Sequence, residues 1–193
     1  MICSWECGLG VDSVMDGRFL VAERLFFAAI PDAGAATEIH RRAAILRRAH
    51  NLRGRLIEPE RLHVSLFFLG GLPDPSLGTA CEAAADVRVE PFVVSFDRSV
   101  SFRGEPGSRP FVLVGDDGLR QLGAFQRTLG AAMTRRGLRK RAKTNFTPHV
   151  TLLYDANSVE EHPIAPISWT VNEFVLVRSV NGYAHLARWQ LRT

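Results

Sequence analysis

The sequence predicts an α+β protein made of two related halves that share one cleft. Three observations carry that expectation. Leu62-His63-Val64-Ser65-Leu66 and Pro148-His149-Val150-Thr151-Leu152 are near-copies, each holding a histidine, a valine, a hydroxyl residue and a leucine in that order. The two histidines stand close to half the chain apart, and each motif strand follows a helix-like, arginine-bearing stretch. The segments run strand, helix, motif strand, helix, strand, strand, helix, motif strand, strand, strand. An internal duplication with pseudo-twofold symmetry is the economical explanation, and no short-period repeat competes with it.

Each element has a local reason. Residues 24–30 (RLFFAAI) form an apolar run stopped by Pro31-Asp32, a first strand. Asp32 or Thr37 can cap a helix to about Leu52, with Ile39, Ala43, Leu46 and Ala49 on one stripe and Gly54 placed to end it. Leu62 to Leu69 is the first motif strand, stopped by Gly70-Gly71, and Pro73-Asp74-Pro75 opens a helix through about Ala85. Pro91 to Phe96 and Pro110 to Val114 read as a hairpin around the polar, glycine-bearing stretch 103–109. Asp116-Asp117 starts a helix to about Arg136, with Leu119, Leu122, Leu129 and Met133 inward and Gly137 at its end. Thr147 to Leu153 is the second motif strand. Trp169 to Val177 and Tyr183 to Leu191 close the chain, with Asn181-Gly182 as the turn between them.

At 193 residues, 46% apolar and 23% charged, the chain has the composition of an ordinary folded domain. No apolar stretch reaches the length of a membrane span, and the acidic start, with Glu6, Asp12 and Asp16, does not read as a secretory signal. A cytoplasmic protein without membrane contact is expected, with a monomer as the default state. Met15-Asp16-Gly17-Arg18 offers a second start, so residues 1–17 are expected to be an extension and 18–193 one domain. Cys3, Cys7 and Cys81 form neither a CxxC pair nor a zinc-ligand series and read as reduced thiols. The net charge of +4 is clustered in Arg41, Arg42, Arg47, Arg48, Arg53 and Arg55, and again in Arg135, Arg136, Arg139, Lys140, Arg141 and Lys143. Such patches suit a phosphate-rich partner or, equally, a solvated helix face.

On a strand, residues two apart share a face, so each motif imidazole lies with its hydroxyl about 7 Å along the chain while the valine points to a core. Two such strands side by side bring two imidazoles and two hydroxyls onto one small anion. With an unperturbed pKa of about 6.5, one imidazole can accept a proton while the other donates one. On a cyclic phosphodiester one histidine deprotonates water and the other protonates the departing ribose oxygen. Ser65 and Thr151 can then hold the non-bridging oxygens, where charge accumulates. A serine nucleophile lacks an orienting acid and a GxSxG elbow. His63, His149 and Asp155 can be drawn as a metal triad, but no HxH or HxxxH pair exists and Asp155 does not share the motif face. Gly8-Leu9-Gly10 is too isolated for a phosphate loop, so neither metal, ATP nor another cofactor is expected. His40 and His50 read as helix-surface residues, and His162 and His185 have no assigned role.

The chain resembles the two-histidine phosphoesterase superfamily, and within it the LigT-like RNA 2′,3′-cyclic phosphodiesterases, also called 2′-5′ RNA ligases. The resemblance rests on residues 62–70 (LHVSLFFLG) and 146–152 (FTPHVTL), with the opening 24–31, Val177-Arg178-Ser179 and Trp189-Gln190-Leu191. It implies a bilobal fold of two antiparallel sheets about a central cleft, with helices outside. It also implies metal-free hydrolysis of RNA 2′,3′-cyclic phosphate ends to a 2′-phosphomonoester, reversible 2′-5′ ligation, and RNA partners that include tRNA halves. By analogy His149 is the general base and His63 the general acid. The family often carries an arginine shortly before its second histidine; Thr144 and Thr147 hold those places here, which leaves that phosphate-binding charge to Lys143 or Arg141. Phe67 and Leu153, next on the motif faces, are expected on the cleft floor. Phe67, Phe146 and Tyr154 are candidates for stacking on a base or ribose, with core packing as the alternative. A non-catalytic RNA-binding protein and a phosphodiesterase acting on a small cyclic nucleotide are the rival readings.

Overall fold

The computed structural model describes residues 24–70, 74–138, 146–179 and 183–193. The expected extension 1–17 and the basic run 139–143 lie outside these. In chain order the elements are β1 (Arg24–Ala29), α1 (Ala33–Ala49), β2 (Val64–Gly70), α2 (Asp74–Ala85), β3 (Phe92–Ser101), β4 (Arg109–Val114), α3 (Arg120–Arg135), β5 (Val150–Asp155), β6 (His162–Val171), β7 (Glu173–Ser179) and β8 (Ala184–Gln190).

The strands form two four-stranded antiparallel sheets, ordered β2-β1-β7-β8 and β5-β4-β3-β6. The duplication is visible in the connections. In one half β1-α1-β2 leaves the motif strand at a sheet edge, paired with the strand that preceded the helix; in the other half β4-α3-β5 does the same. The expected element order lacks one strand. β6 reads poorly because of Pro163 and Pro166, but it lies at a sheet edge, where proline's missing donor is tolerated. Only Asn172 separates it from β7, and there the chain passes from one sheet to the other, so the expected single strand 169–177 is in fact the junction of two.

Local signals hold elsewhere. Asp32 caps α1, its carboxylate accepting from the Ala35 N–H at 2.8 Å. Helix α1 buries Ala35, Ala36, Ile39, Ala43 and Leu46, while Ala49 stays exposed. Helix α3 buries Leu122, Phe125, Leu129 and Met133, the spacing of a single helical face. Gly137 follows with φ +78°, a left-handed position that glycine fills at no steric cost. Helix α1 does not end at Gly54: His50 is its C-cap, and Asn51 takes the left-handed φ of 52°.

One contiguous core draws on both sheets and all three helices, with Phe27, Phe96, Phe111, Phe125 and Phe174 fully buried. A second, smaller apolar cluster of Phe26, Ala28, Val175 and Val177 lies on the opposite face of β1 and β7. That cluster underlies the cleft. Among the described residues no helix is long and apolar enough to cross a membrane.

Candidate active site

The segment after α1 builds one wall of the cleft. It turns at Asn51 and runs beside the free edge of β5, where Leu56 bridges Leu153 and the Ile57 N–H donates to the Leu152 carbonyl at 2.8 Å. Asp155 clasps this segment. Its buried carboxylate accepts from the backbone N–H groups of Arg53 (2.5 Å), Gly54 (2.7 Å) and Asn157 (2.9 Å). These hydrogen bonds, the one from Asn157 foremost, hold its pKa below the usual carboxylate value. Gly54 is needed for close approach, since a Cβ there would collide with the Tyr154 carbonyl. Asp155 is therefore a structural clasp and no partner of the two histidines.

The segment ends in a short 3₁₀ turn, Pro59–Arg61, and delivers His63 one residue ahead of β2; His149 stands likewise one residue ahead of β5. Both rings are tethered in the same way. His63 Nδ1 donates to the Arg61 carbonyl and His149 Nδ1 to the Thr147 carbonyl, each two residues back and each at 2.7 Å. A carbonyl can only accept, so Nδ1 carries the proton and Nε2 is left to exchange one in the cleft.

Both motif strands carry a β-bulge at the same place. Ala28 pairs with Ser65 but Phe27 with Phe67, leaving Leu66 extra; Val112 pairs with Thr151 but Phe111 with Leu153, leaving Leu152 extra. Each bulge turns two successive side chains inward and shifts the cleft-facing parity by one. This corrects the expected floor. Phe67 is only 2% exposed, with its ring beside Gly130 of α3, and Leu153 is buried too; Phe68 and Tyr154 emerge in their place. Phe146 packs half-buried against the main core, not in the cleft. Arg141 and Lys143 lie outside the described residues.

The resulting cleft has a volume of about 310 Å³ and brings His63, Ser65, His149 and Thr151 together. Phe26, Phe68 and Tyr154 supply apolar and aromatic walls, and Arg61 is the cation among the lining residues described. Burial holds both imidazoles neutral. It pushes His63 down to about 4, with the charges of His149 and Arg61 adding to the effect, and it lowers His149 as well. Tyr183 adds an asymmetry that the motifs do not foretell. Its Oη stands 2.7 Å from His63 Nδ1, so the ring proton is shared between that phenol and the Arg61 carbonyl. The Arg61 guanidinium lies 5.6 Å from the centre of the Tyr183 ring, and burial raises the phenol's pKa.

Comparison with known proteins gives this geometry a family. The sequence profile of the 2′-5′ RNA ligase superfamily matches residues 31–182. The chain belongs to that superfamily. Its two-histidine phosphoesterase architecture is shared with E. coli LigT solved with 3′-AMP (TM-score 0.73, 26% identity, 89% of this chain and 99% of that one). E. coli LigT with phosphate aligns over the same shares at TM-score 0.65 and 26% identity. A protein of Thermus thermophilus shares the fold at TM-score 0.67 and 21% identity, over 88% and 98% of the two chains. The RNA 2′,3′-cyclic phosphodiesterase of Archaeoglobus fulgidus is 29% identical over 98 residues, a match spanning 51% of this chain and about half, 54%, of that relative.

Within this superfamily member, the remaining histidines lie apart from the cleft lining. His50, expected on the helix surface, instead caps α1, with its Nε2 3.3 Å from that of His162, and His162 Nε2 lies 3.0 Å from the buried Ser99 hydroxyl. His185 stacks its edge on Tyr183 at 6.0 Å, and His40 lies 4.0 Å from Glu58. Among the described residues no three His, Cys, Asp or Glu side chains form a metal-ligand group. The sequence does not single out Arg61, Phe68, Ser179 and Tyr183 as cleft residues. For Phe68 the signal would have been a bulge, which leaves no mark in composition; for Ser179 it lay in long-range pairing of β7 with β1, and for Tyr183 in contacts with Phe26 and His63, far away in sequence.

Proposed function

We propose that this chain hydrolyses the 2′,3′-cyclic phosphate at an RNA end to a 2′-phosphomonoester by paired-histidine acid–base catalysis. One observation carries the reading: two imidazoles, each with Nδ1 tethered to a carbonyl, share a cleft with two hydroxyls. Water attacks phosphorus and forms a P–O bond while the P–O3′ bond breaks. One Nε2 takes the water proton and the other Nε2 gives a proton to O3′, leaving phosphate on O2′ and a free 3′-hydroxyl. Ser65 and Thr151 hydrogen-bond the non-bridging oxygens as charge builds on them. With a 5′-hydroxyl in place of water as the entering group, the same ring opening at P–O3′ leaves phosphorus bonded to O2′ and O5′, which is 2′-5′ ligation.

The carry-over from the family assigns His149 as base and His63 as acid. In the free protein His63 is the ring that burial presses hardest toward neutrality. A donor role for His63 therefore requires the substrate phosphate to lift its pKa, which an anion inside a low-dielectric cleft does. The name of the Archaeoglobus relative and the 3′-AMP and phosphate complexes of E. coli LigT support a nucleotide phosphate in this cleft.

The test is incubation with an oligoribonucleotide ending in 2′,3′-cyclic phosphate, with the product read by mass and ³¹P NMR. A 2′-phosphate formed equally well in EDTA is expected. A 3′-phosphate would overturn the regiochemistry, loss in chelator with rescue by a divalent ion would overturn the mechanism, and binding without turnover would favour a non-catalytic RNA-binding protein.

A further inference from the structure

We propose that the cleft continues into a basic groove, carried by Arg53, Arg47 and Arg48, that holds the RNA strand upstream of the reacting end. This rests on the preceding reading and adds to it the path that the substrate strand takes. Three further depressions are joined to the cleft by shared walls. The first shares Ile57, Arg61 and Tyr154 with it and adds Arg55. Another also backs on Tyr154 and is lined by Asn51, Arg53 and Gly54. The last shares Asn51 and Arg53 with that one and reaches Arg47 and Arg48 at the end of α1. The shared residues run in series from the two histidines, across Tyr154, to the last turn of the helix.

Charge along this path is available to a ligand. Among the described residues Arg47, Arg48 and Arg53 have no carboxylate partner, although they belong to the same sequence cluster as Arg41 and Arg42, which are both bound to Glu38. Other arginines are likewise spent within the fold: Arg98 on Asp116 and Glu161, Arg136 on Glu82 and Asp86, Arg188 on Glu173. Two acids lie along the path, and both are occupied. Glu58 faces Arg55 at 3.6 Å, and the Asp155 carboxylate is buried under three backbone N–H groups. Free guanidiniums on a concave surface suit phosphodiester oxygens, which they bind through paired N–H donors.

The path is also stiff where it matters. The Asp155 clasp, the close approach at Gly54 and the left-handed Asn51 fix the backbone that carries Arg53. Ordering this wall on binding therefore costs little. Tyr154 is 50% exposed and stands where the cleft meets the groove, at the place a base next to the reacting nucleotide would reach. The cyclic phosphate terminates a strand at its 3′ side, so the nucleotides in the groove are those on its 5′ side.

The experiment pairs kinetics with equilibrium binding. For wild type, kcat/KM on cyclic-ended substrates should rise from a mononucleotide through a dinucleotide to longer oligoribonucleotides, with the gain in KM and not in kcat. In the combined variant Arg47→Ala, Arg48→Ala, Arg53→Ala that length advantage should collapse toward one, while Arg120→Ala, whose guanidinium is held by Asp117 at 2.7 Å, keeps it. Binding of an uncleavable 2′-phosphate-ended oligomer, followed by fluorescence anisotropy against salt, should lose about 2 from its log–log slope in the triple variant, at about 0.7 per contact. Equal kcat/KM at every length in wild type, or an unchanged salt slope in the triple variant, overturns the groove. Absence of cyclic-end hydrolysis on all substrates would sink the parent reading alone, since the binding arm does not need turnover.

Discussion

The two halves of the cleft repeat one geometry and differ in chemistry. Each has a histidine tethered through Nδ1 to a carbonyl two residues back, a hydroxyl two residues on, and a bulge directly after it. The His63 half is the more enclosed. Phe26 lies 5.1 Å from the ring, Tyr183 contacts Nδ1, and Arg61 stands over Tyr183. Beside His149 the neighbouring ring is Phe102, edge-on at 5.0 Å, and among the described residues no phenol reaches its Nδ1. The repeat supplies matched imidazoles, and the packing around them makes them unequal. In the proposed mechanism that inequality favours one assignment of acid and base over its reverse.

Removing either ring tests what the halves share. His63→Ala and His149→Ala are each expected to lower kcat by about a hundredfold or more, with circular dichroism and Tm showing a folded protein. A variant that keeps most of its activity would show that one half suffices. The hydroxyls come next. Ser65→Ala and Thr151→Ala should each raise the barrier by about 2–4 kcal/mol, read as kcat on the cyclic-ended oligomer, if both act on the developing charge. A loss confined to one of them would make the second half a binding element only.

How far this was legible in the sequence follows from the same repeat. Histidine and hydroxyl two apart on an apolar strand are a local pattern, so the pairing of His63 with Ser65 and of His149 with Thr151 on one side was readable directly. The bulges were not. Phe67 obeys strand alternation on paper, but a single extra residue, Leu66, sends it into the core and brings out Phe68; Leu152 does the same for Tyr154. Pro163 and Pro166 hid β6 because edge position is a property of the sheet and not of the segment. Asp155 can be drawn as a metal ligand from the sequence, but its actual partners include the amides of Arg53 and Gly54, about a hundred residues away.

The pH response separates the halves further. Both rings are held neutral in the folded protein, whereas the unfolded chain takes up protons near pH 6.5. The unfolded state therefore binds more protons below that value, and stability falls as pH drops from about 6.5 toward about 4, the His63 value. Thermal melts over this window should show the fall, and it should shrink in His63→Ala more than in His149→Ala. Equal effects would mean the enclosures are alike. NMR titration of the ring nitrogens, with and without inorganic phosphate, reads the catalytic side: phosphate should raise the His63 pKa. If it leaves His63 neutral and protonates His149 instead, the acid and base roles exchange.

The smallest expected effect is the most selective. Tyr183→Phe keeps the ring against Phe26 and beneath Arg61 but deletes the oxygen at His63 Nδ1. The Arg61 carbonyl still accepts the ring proton, so the tautomer persists and one of two acceptors is lost. An ordinary hydrogen bond is worth about 0.5–1.5 kcal/mol, which corresponds to roughly a two- to thirteenfold fall in kcat. A purely structural tyrosine would alter Tm and leave the shape of the pH–rate profile untouched. A positioning role predicts the opposite: a small change in Tm, and a displacement of the limb that belongs to His63. Phe102→Leu is the matched change beside His149, and it should move the other limb. If both substitutions shift the same limb, or neither shifts any, the two halves are not the separate acid and base that their surroundings imply.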